Sequence, residues 1–209
     1  TGLLQSVGTL LSDAAATYAG TASEQQLRDV LSRIDEPLRV AIAGKVKAGK
    51  STLMNALVGE ELAPTDQGEC TKIVTWYRNG HTYKVVLEPN DGPPRQARFH
   101  RDNGAIEVDL QELVPDQVAR VVVDWPSRSL ERITLIDTPG IASISADISA
   151  KSHDFLTPGD DRATEADAVL YLMKHLHATD VDFLEAFHDE EVSQATPVNA
   201  IAILSRADE

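Results

Sequence analysis

Gly44-Lys45-Val46-Lys47-Ala48-Gly49-Lys50-Ser51 is the stretch on which the fold turns, because it fits the pattern G-x-x-x-x-G-K-[ST]. Its glycines let the main chain wrap closely around phosphate oxygens, and successive N–H groups make an anion nest. A helix opening at the second glycine adds its positive end to the same charge. Lys50 is then expected to reach the β- and γ-phosphates, and the Ser51 hydroxyl to ligate Mg2+. Gly44, Lys45, Val46, Lys47, Ala48, Gly49, Lys50, Ser51 and Thr52 thus form the expected nucleotide-binding segment. The flanks fit the same reading. Val40–Ala43 is a wholly apolar run suited to a strand covered on both faces. Leu53, Ala56 and Leu57 follow at helical spacing, and Gly59 closes the helix.

Downstream, the pattern predicts strands at Ile73–Tyr77 and Tyr83–Leu87 around an Asn79-Gly80 turn, then at Val118–Trp125, Ile133–Ile136, Val169–Met173 and Val198–Leu204. Residues 89–117 carry loop chemistry, weak strand signals and a short predicted helix near Leu110–Leu113. Thr179 and Asp182 are read as opening a helix that buries Phe183, Leu184 and Phe187. Strands alternating with helices predict an α/β fold, a P-loop NTPase domain with a mostly parallel sheet flanked by helices. Upstream, residues 1–36 read as a helical segment. Leu3, Leu4, Val7, Leu10 and Leu11 share one helical face, and Leu27, Val30, Leu31 and Ile34 another. Ser23 with Gln26 reads as a capping box, and Pro37 stops the helix. The expected division is 1–36 helical, as part of a bundle or neck, and 37–209 nucleotide-binding.

Two further motifs lie after strands. Asp137-Thr138-Pro139-Gly140 ends the run Ile133–Ile136, where a carboxylate can hold a magnesium-bound water and the Gly140 N–H can meet a γ-phosphate. Ser205-Arg206-Ala207-Asp208 ends the last strand and is similar to the guanine-reading element [NT]-K-x-D, with Ser and Arg substituted. Asp208 would accept from the guanine ring N–H and amino group, and the Arg206 stem would lie over the base. Ligands of open α/β sheets bind beyond the carboxyl ends of strands, which is where both motifs fall. Thr71 is the candidate switch threonine and second hydroxyl on the metal, with Thr65 as the alternative. Metal ligands are therefore expected at Ser51, Thr71 and Asp137. His175 and His177 lack the partner set of a metal site and read as surface residues.

The formal net charge of −14 over 209 residues repels phosphate backbones and anionic lipid head groups, so nucleic acid is not an expected partner. One cysteine, Cys70, excludes an internal disulfide and points to a reducing, cytoplasmic compartment. No apolar run reaches the length of a membrane span.

With these elements in order, the sequence resembles the dynamin superfamily, most of all bacterial dynamin-like proteins of the isoniazid-inducible type. The resemblance is carried by VAIAGKVKAGKSTLMNALVGEELAP, ECTKIVTW, DWPSRSLERITLIDTPG, ADAVLYLM and ILSRADE, running from Val40 to Glu209. It implies Mg2+-dependent hydrolysis of GTP to GDP. It also implies dimerisation through the nucleotide face, as a homodimer or with a paralogue. Membrane remodelling would follow through regions outside this chain, with peripheral placement at the inner face of the plasma membrane. It implies too that the domain continues past Glu209 with a further strand, helix and base-contacting loop.

The chain departs from that family at the glutamine-serine pair many dynamins carry in the phosphate loop, here Val46 and Lys47. Ile141 stands where Ras-like enzymes carry a water-orienting glutamine. The expected catalytic set is Lys47, Lys50, Thr71 and Gly140, with Lys47 supplying the charge that a bound cation or arginine finger provides elsewhere. The competing readings are a dimerising nucleotide-binding module with little turnover, a small translation-factor-like GTPase, and an ATPase.

Overall fold

The apolar run before the glycine turn forms β1 (Leu38–Gly44), buried from Val40 onward, in a computed structural model that describes residues 2–44, 47–63, 73–102, 105–138, 166–175 and 199–205. The chain divides into two compact units, Thr1–Pro37 and Leu38–Glu209.

The first unit is a pair of packed helices, α1 (Leu3–Thr17) and α2 (Ala22–Ile34). The predicted cap at Ser23 is displaced. Thr21 holds the N-cap of α2, its hydroxyl donates to the Tyr18 carbonyl at 2.7 Å, and Glu24 instead accepts from the Gly20 N–H at 2.7 Å. Two helices cannot enclose both apolar stripes, and Leu3, Leu4 and Leu10 stay exposed.

In the second unit, β1 leads into α3 (Lys50–Val58), which ends at Gly59 in the left-handed region with its N–H on the Asn55 carbonyl. The chain then forms β2 (Thr75–Asn79), β3 (Lys84–Pro89), β4 (Arg95–Ala97), β5 (Phe99–Asp102), β6 (Ala105–Val108), β7 (Val118–Trp125), β8 (Ile133–Asp137), β9 (Ala168–Met173) and β10 (Ala200–Leu204). Among the described residues eight strands make one sheet, in the order β10-β9-β1-β8-β2-β7-β3-β4, and β5 and β6 pair separately. From β10 to β8 every neighbour is parallel; β2 runs antiparallel to β8 and parallel to β7.

Two local expectations give way. β2 and β3 do not pair across Asn79-Gly80, because β7 lies between them. The reason is burial: β7 presents Val121, Val122, Val123 and Trp125 to the two sheet faces and takes an interior place. Near Leu110–Leu113 there is a turn in place of a helix. Gln111 adopts φ 60° while its N–H donates to the Asp109 carboxylate, a local bond that competes with helix.

The sheet's two faces follow strand alternation. Val40 and Ile42 face a cluster with Met54 and Val58 of α3, Val121, Val123 and Leu135, while Ala41 and Ala43 face Trp76, Ile136, Val169 and Tyr171. Ile42, Leu135 and Ile136 are fully buried, each contributing about 1.5–3 kcal/mol over exposure. β1 and β8 are thereby held rigidly, and they carry the residues of the site.

Candidate nucleotide site

Because β1, β8, β9 and β10 are parallel, their carboxyl ends share one edge of the sheet. Register fixes the neighbours there: Ile42 opposite Asp137, Gly44 opposite Leu172, and Leu172 opposite Ile203. The glycine loop, the Asp137 motif and the segment opening at Ser205 therefore leave the sheet together, where α/β ligands bind. Ser205 is tied to β9, its N–H and hydroxyl both donating to the Met173 carbonyl at 2.7 and 3.2 Å. The Thr138 hydroxyl, buried, donates to the Ile42 carbonyl at 3.0 Å and locks the start of the second motif onto β1. Sequence reasoning gave Thr138 no role, since its partner is 96 residues away.

Each loop glycine has its own reason. At Gly44 (φ 145°) a Cβ would fall 2.3 Å from the Leu172 carbonyl oxygen, so β1 and β9 close only on glycine. At Gly49 the constraint is conformational: φ 92° at the N-cap of α3 suits no other residue well. No side chain caps α3 and no acidic residue occupies its first turn, which leaves the helix's positive end to a ligand anion. Lys47 stands at φ 65° with its side chain exposed, a left-handed conformation that costs a non-glycine residue about 1–2 kcal/mol. Ala48 is buried behind it.

Lys50 reaches back across the loop, its Nζ donating to the Gly44 carbonyl at 2.9 Å. Burial pushes the Lys50 ammonium below its ordinary range, and the Asp137 carboxylate partly restores it. The same burial raises the Asp137 carboxyl to about 6, with the Lys50 charge pulling it back down. One carboxylate oxygen, Asp137 Oδ1, is buried without a hydrogen-bond partner among the described residues. Such an atom costs free energy unless something positive or donating meets it.

That orphan tests whether Mg2+ fits. The ion takes one or two protein oxygens and leaves other positions to water and phosphate. Asp137 at the end of β8 and Ser51 at the start of α3 offer that donor set. Among the described residues no group of three or more His, Cys, Asp or Glu side chains could hold a metal by themselves. His175 belongs to no such group. Lys45, Val46, Thr65, Thr71, Gly140, Ile141, His177, Arg206 and Asp208 lie outside the described residues, as does the helix expected to open at Thr179 and Asp182.

Residues 40–202 match the dynamin family. The chain belongs to that family. Over 199 residues it is 38% identical to the isoniazid-induced protein IniC of Mycobacterium tuberculosis, a match covering 92% of this chain and 40% of IniC. It is 34% identical over 120 residues to a bacterial dynamin-like protein of Nostoc punctiforme, covering 52% of this chain and 17% of that protein. The dynamin-family chain thus spans less than half the length of these relatives. A solved structure described as an oligomerised bacterial dynamin pair, with a mechanism for long-range sensing and tethering of membranes, matches with a TM-score of 0.64. The identity is 19%, over 97% of this chain and 32% of that one, which speaks to fold alone. The expected α/β fold and the family are borne out. No helix among the described residues is long and apolar enough to cross a membrane.

Proposed function

We propose that this dynamin-type domain binds Mg2+–GTP at the shared strand edge and hydrolyses it to GDP and phosphate, with nucleotide state controlling dimerisation through the nucleotide face. The observation that carries the proposal is the buried Asp137 carboxylate, whose Oδ1 meets no hydrogen-bond partner among the described residues, within the electrostatic reach of the half-buried Lys50 ammonium of the glycine loop. A buried carboxylate oxygen left without a donor is costly alone and suited to meeting a cation that arrives with a polyphosphate.

Lys50 neutralises charge on the β- and γ-phosphates, and the α3 N-terminus does the same from the axis of the helix. Ser51 and Asp137 would hold the metal, with Thr71 or Thr65 adding a second hydroxyl, and Mg2+ bound there would supply Lewis-acid neutralisation across the phosphates. Gly140 offers its N–H to the γ-phosphate; Arg206 and Asp208 read the guanine. Ile141 has no hydrogen-bonding group with which to orient water. Charge at the leaving group is instead assigned to Lys47, which is exposed and held in a left-handed backbone conformation. The assembly assigned to the nucleotide-bound state is one in which two nucleotide faces meet, of one chain or of two paralogues; the similar solved structure is described as an oligomerised bacterial dynamin pair. Membrane remodelling is assigned to the full-length protein, acting at the inner face of the plasma membrane from the cytoplasm.

A second reading, a dimerising module with little turnover, is favoured by Val46 and Ile141 in place of polar groups. Phosphate release from wild type and Lys47→Ala across a range of protein concentrations separates the two. The enzyme reading expects turnover that rises steeply with concentration. It also expects a loss of about 10²-fold in Lys47→Ala with GTP affinity unchanged. Flat, negligible turnover in wild type favours the module. An undiminished rate in Lys47→Ala removes the role of Lys47.

A further inference from the structure

One face of α3 carries a clamp that the hydrolysis reading does not use. Asn55 lies four residues after Ser51, one turn along the same helix face. Its Oδ1 accepts from the Leu62 N–H at 2.9 Å and the Ala63 N–H at 2.8 Å, and its Nδ2 donates to the Ala63 carbonyl at 3.0 Å. Leu62 is bonded again from the other side, its carbonyl accepting from the Ile106 N–H of β6 at 3.0 Å. Leu62 and Ala63 are buried. Two consecutive residues of a connecting segment are thus held through every main-chain polar group they own.

We infer that Asn55 is a positioning residue for GTP hydrolysis: it fixes the point from which the chain bearing Thr65 and Thr71 departs, in the frame of the helix that presents Ser51. The inference rests on the proposed function, because it matters only if a threonine hydroxyl and Ser51 must meet one ion. Ala63 is followed by Pro64, and a residue before proline is held extended, so the direction of departure is constrained as well. The return is tied down independently. Thr75 pairs with Asp137 across β2 and β8, and its hydroxyl donates to the Ile73 carbonyl at 3.2 Å. One end of the segment is therefore referenced to the Ser51 helix and the other to Asp137, the two elements assigned to the metal. An error of about 1 Å in such a site costs up to about 10²-fold in rate.

A merely structural asparagine would, when removed, weaken the whole helix and with it every nucleotide. A positioning residue should separate GDP binding, which needs only the loop and α3, from the chemical step. In Asn55→Ala, kcat for GTP is expected to fall about 10- to 100-fold while GDP affinity stays within about 2-fold of wild type. Asn55→Asp keeps the two acceptor bonds but sets a carboxylate oxygen against the Ala63 carbonyl, so its kcat should lie between those of wild type and Asn55→Ala. Amide exchange at Leu62 and Ala63 should be slow in wild type with either GDP or a non-hydrolysable GTP analogue, and slow again in Asn55→Asp. A wild-type rate in Asn55→Ala overturns the inference, and so does a parallel loss of GDP affinity and kcat. Fast exchange at these two amides in folded wild type overturns it without any variant. Wild-type protein that binds no GDP at all would instead remove the nucleotide reading on which the inference stands.

Discussion

Lys50→Ala is expected to lower single-turnover GTP hydrolysis by at least about 10²–10³-fold and to weaken Mg2+–GTP binding in parallel. The ammonium already stands inside the loop, 2.9 Å from the Gly44 carbonyl, and is partly stripped of water by burial. A triphosphate therefore meets a charge that needs little further desolvation, in a setting where each interaction is stronger than in water. An alanine methyl leaves the same cavity with no positive charge and with Asp137 opposed to the phosphates. Loss of both binding and rate is the expected signature, because Lys50 serves the ground state and the transition state alike. Binding and turnover both within a few-fold of wild type would place the phosphates elsewhere.

The second large effect has opposite signs with and without ligand. Asp137→Asn should abolish Mg2+-supported turnover, since an amide is a poorer partner for the cation, yet should stabilise the nucleotide-free domain near pH 7.5. The carboxyl is raised to about 6 from 3.8, a difference of about 3 kcal/mol. The folded state binds this proton more tightly than the unfolded state. Its stabilisation is therefore complete below about 3.8 and is lost as pH rises through about 6. At pH 7.5 the ionised group burdens the apo fold, and the amide relieves it by up to about 3 kcal/mol, less whatever Lys50 loses with its partner. Urea unfolding without nucleotide at pH 7.5 and pH 5 checks this. The variant's advantage should shrink on acidification, and the wild type should gain stability from pH 7.5 to 5 through this group. A variant less stable than wild type at pH 7.5 would mean that the Lys50 pairing outweighs the desolvation of Asp137.

Much of this architecture was legible because it is local. Val118–Trp125 is recovered with the same bounds, and Ile133–Ile136 and Val169–Met173 to within one residue, since apolar runs covered on both faces leave a plain signal. The glycine loop was equally plain, as phosphate chemistry imposes its spacing within eight consecutive residues. What sequence could not supply is pairing at a distance. The place of β7 between β2 and β3 depends on which strands share the interior. The Thr138–Ile42 bond spans 96 residues. Asn55 reads in sequence as one polar residue in an amphipathic helix; only the return of Leu62 and Ala63 to its amide reveals the clamp. The cap at Ser23 missed for a smaller reason. Thr21 and Glu24 stand at the same spacing two residues earlier, and the helix starts there.

Titration calorimetry of the wild-type domain with Mg2+–GTP, and with Mg2+–ATP as competitor, decides whether the glycine loop is a guanine-nucleotide site. One saturating site for GTP that ATP fails to displace is expected, with loss of that heat in Lys50→Ala. No heat with GTP in the presence of magnesium, or equal competition by ATP, would contradict that assignment.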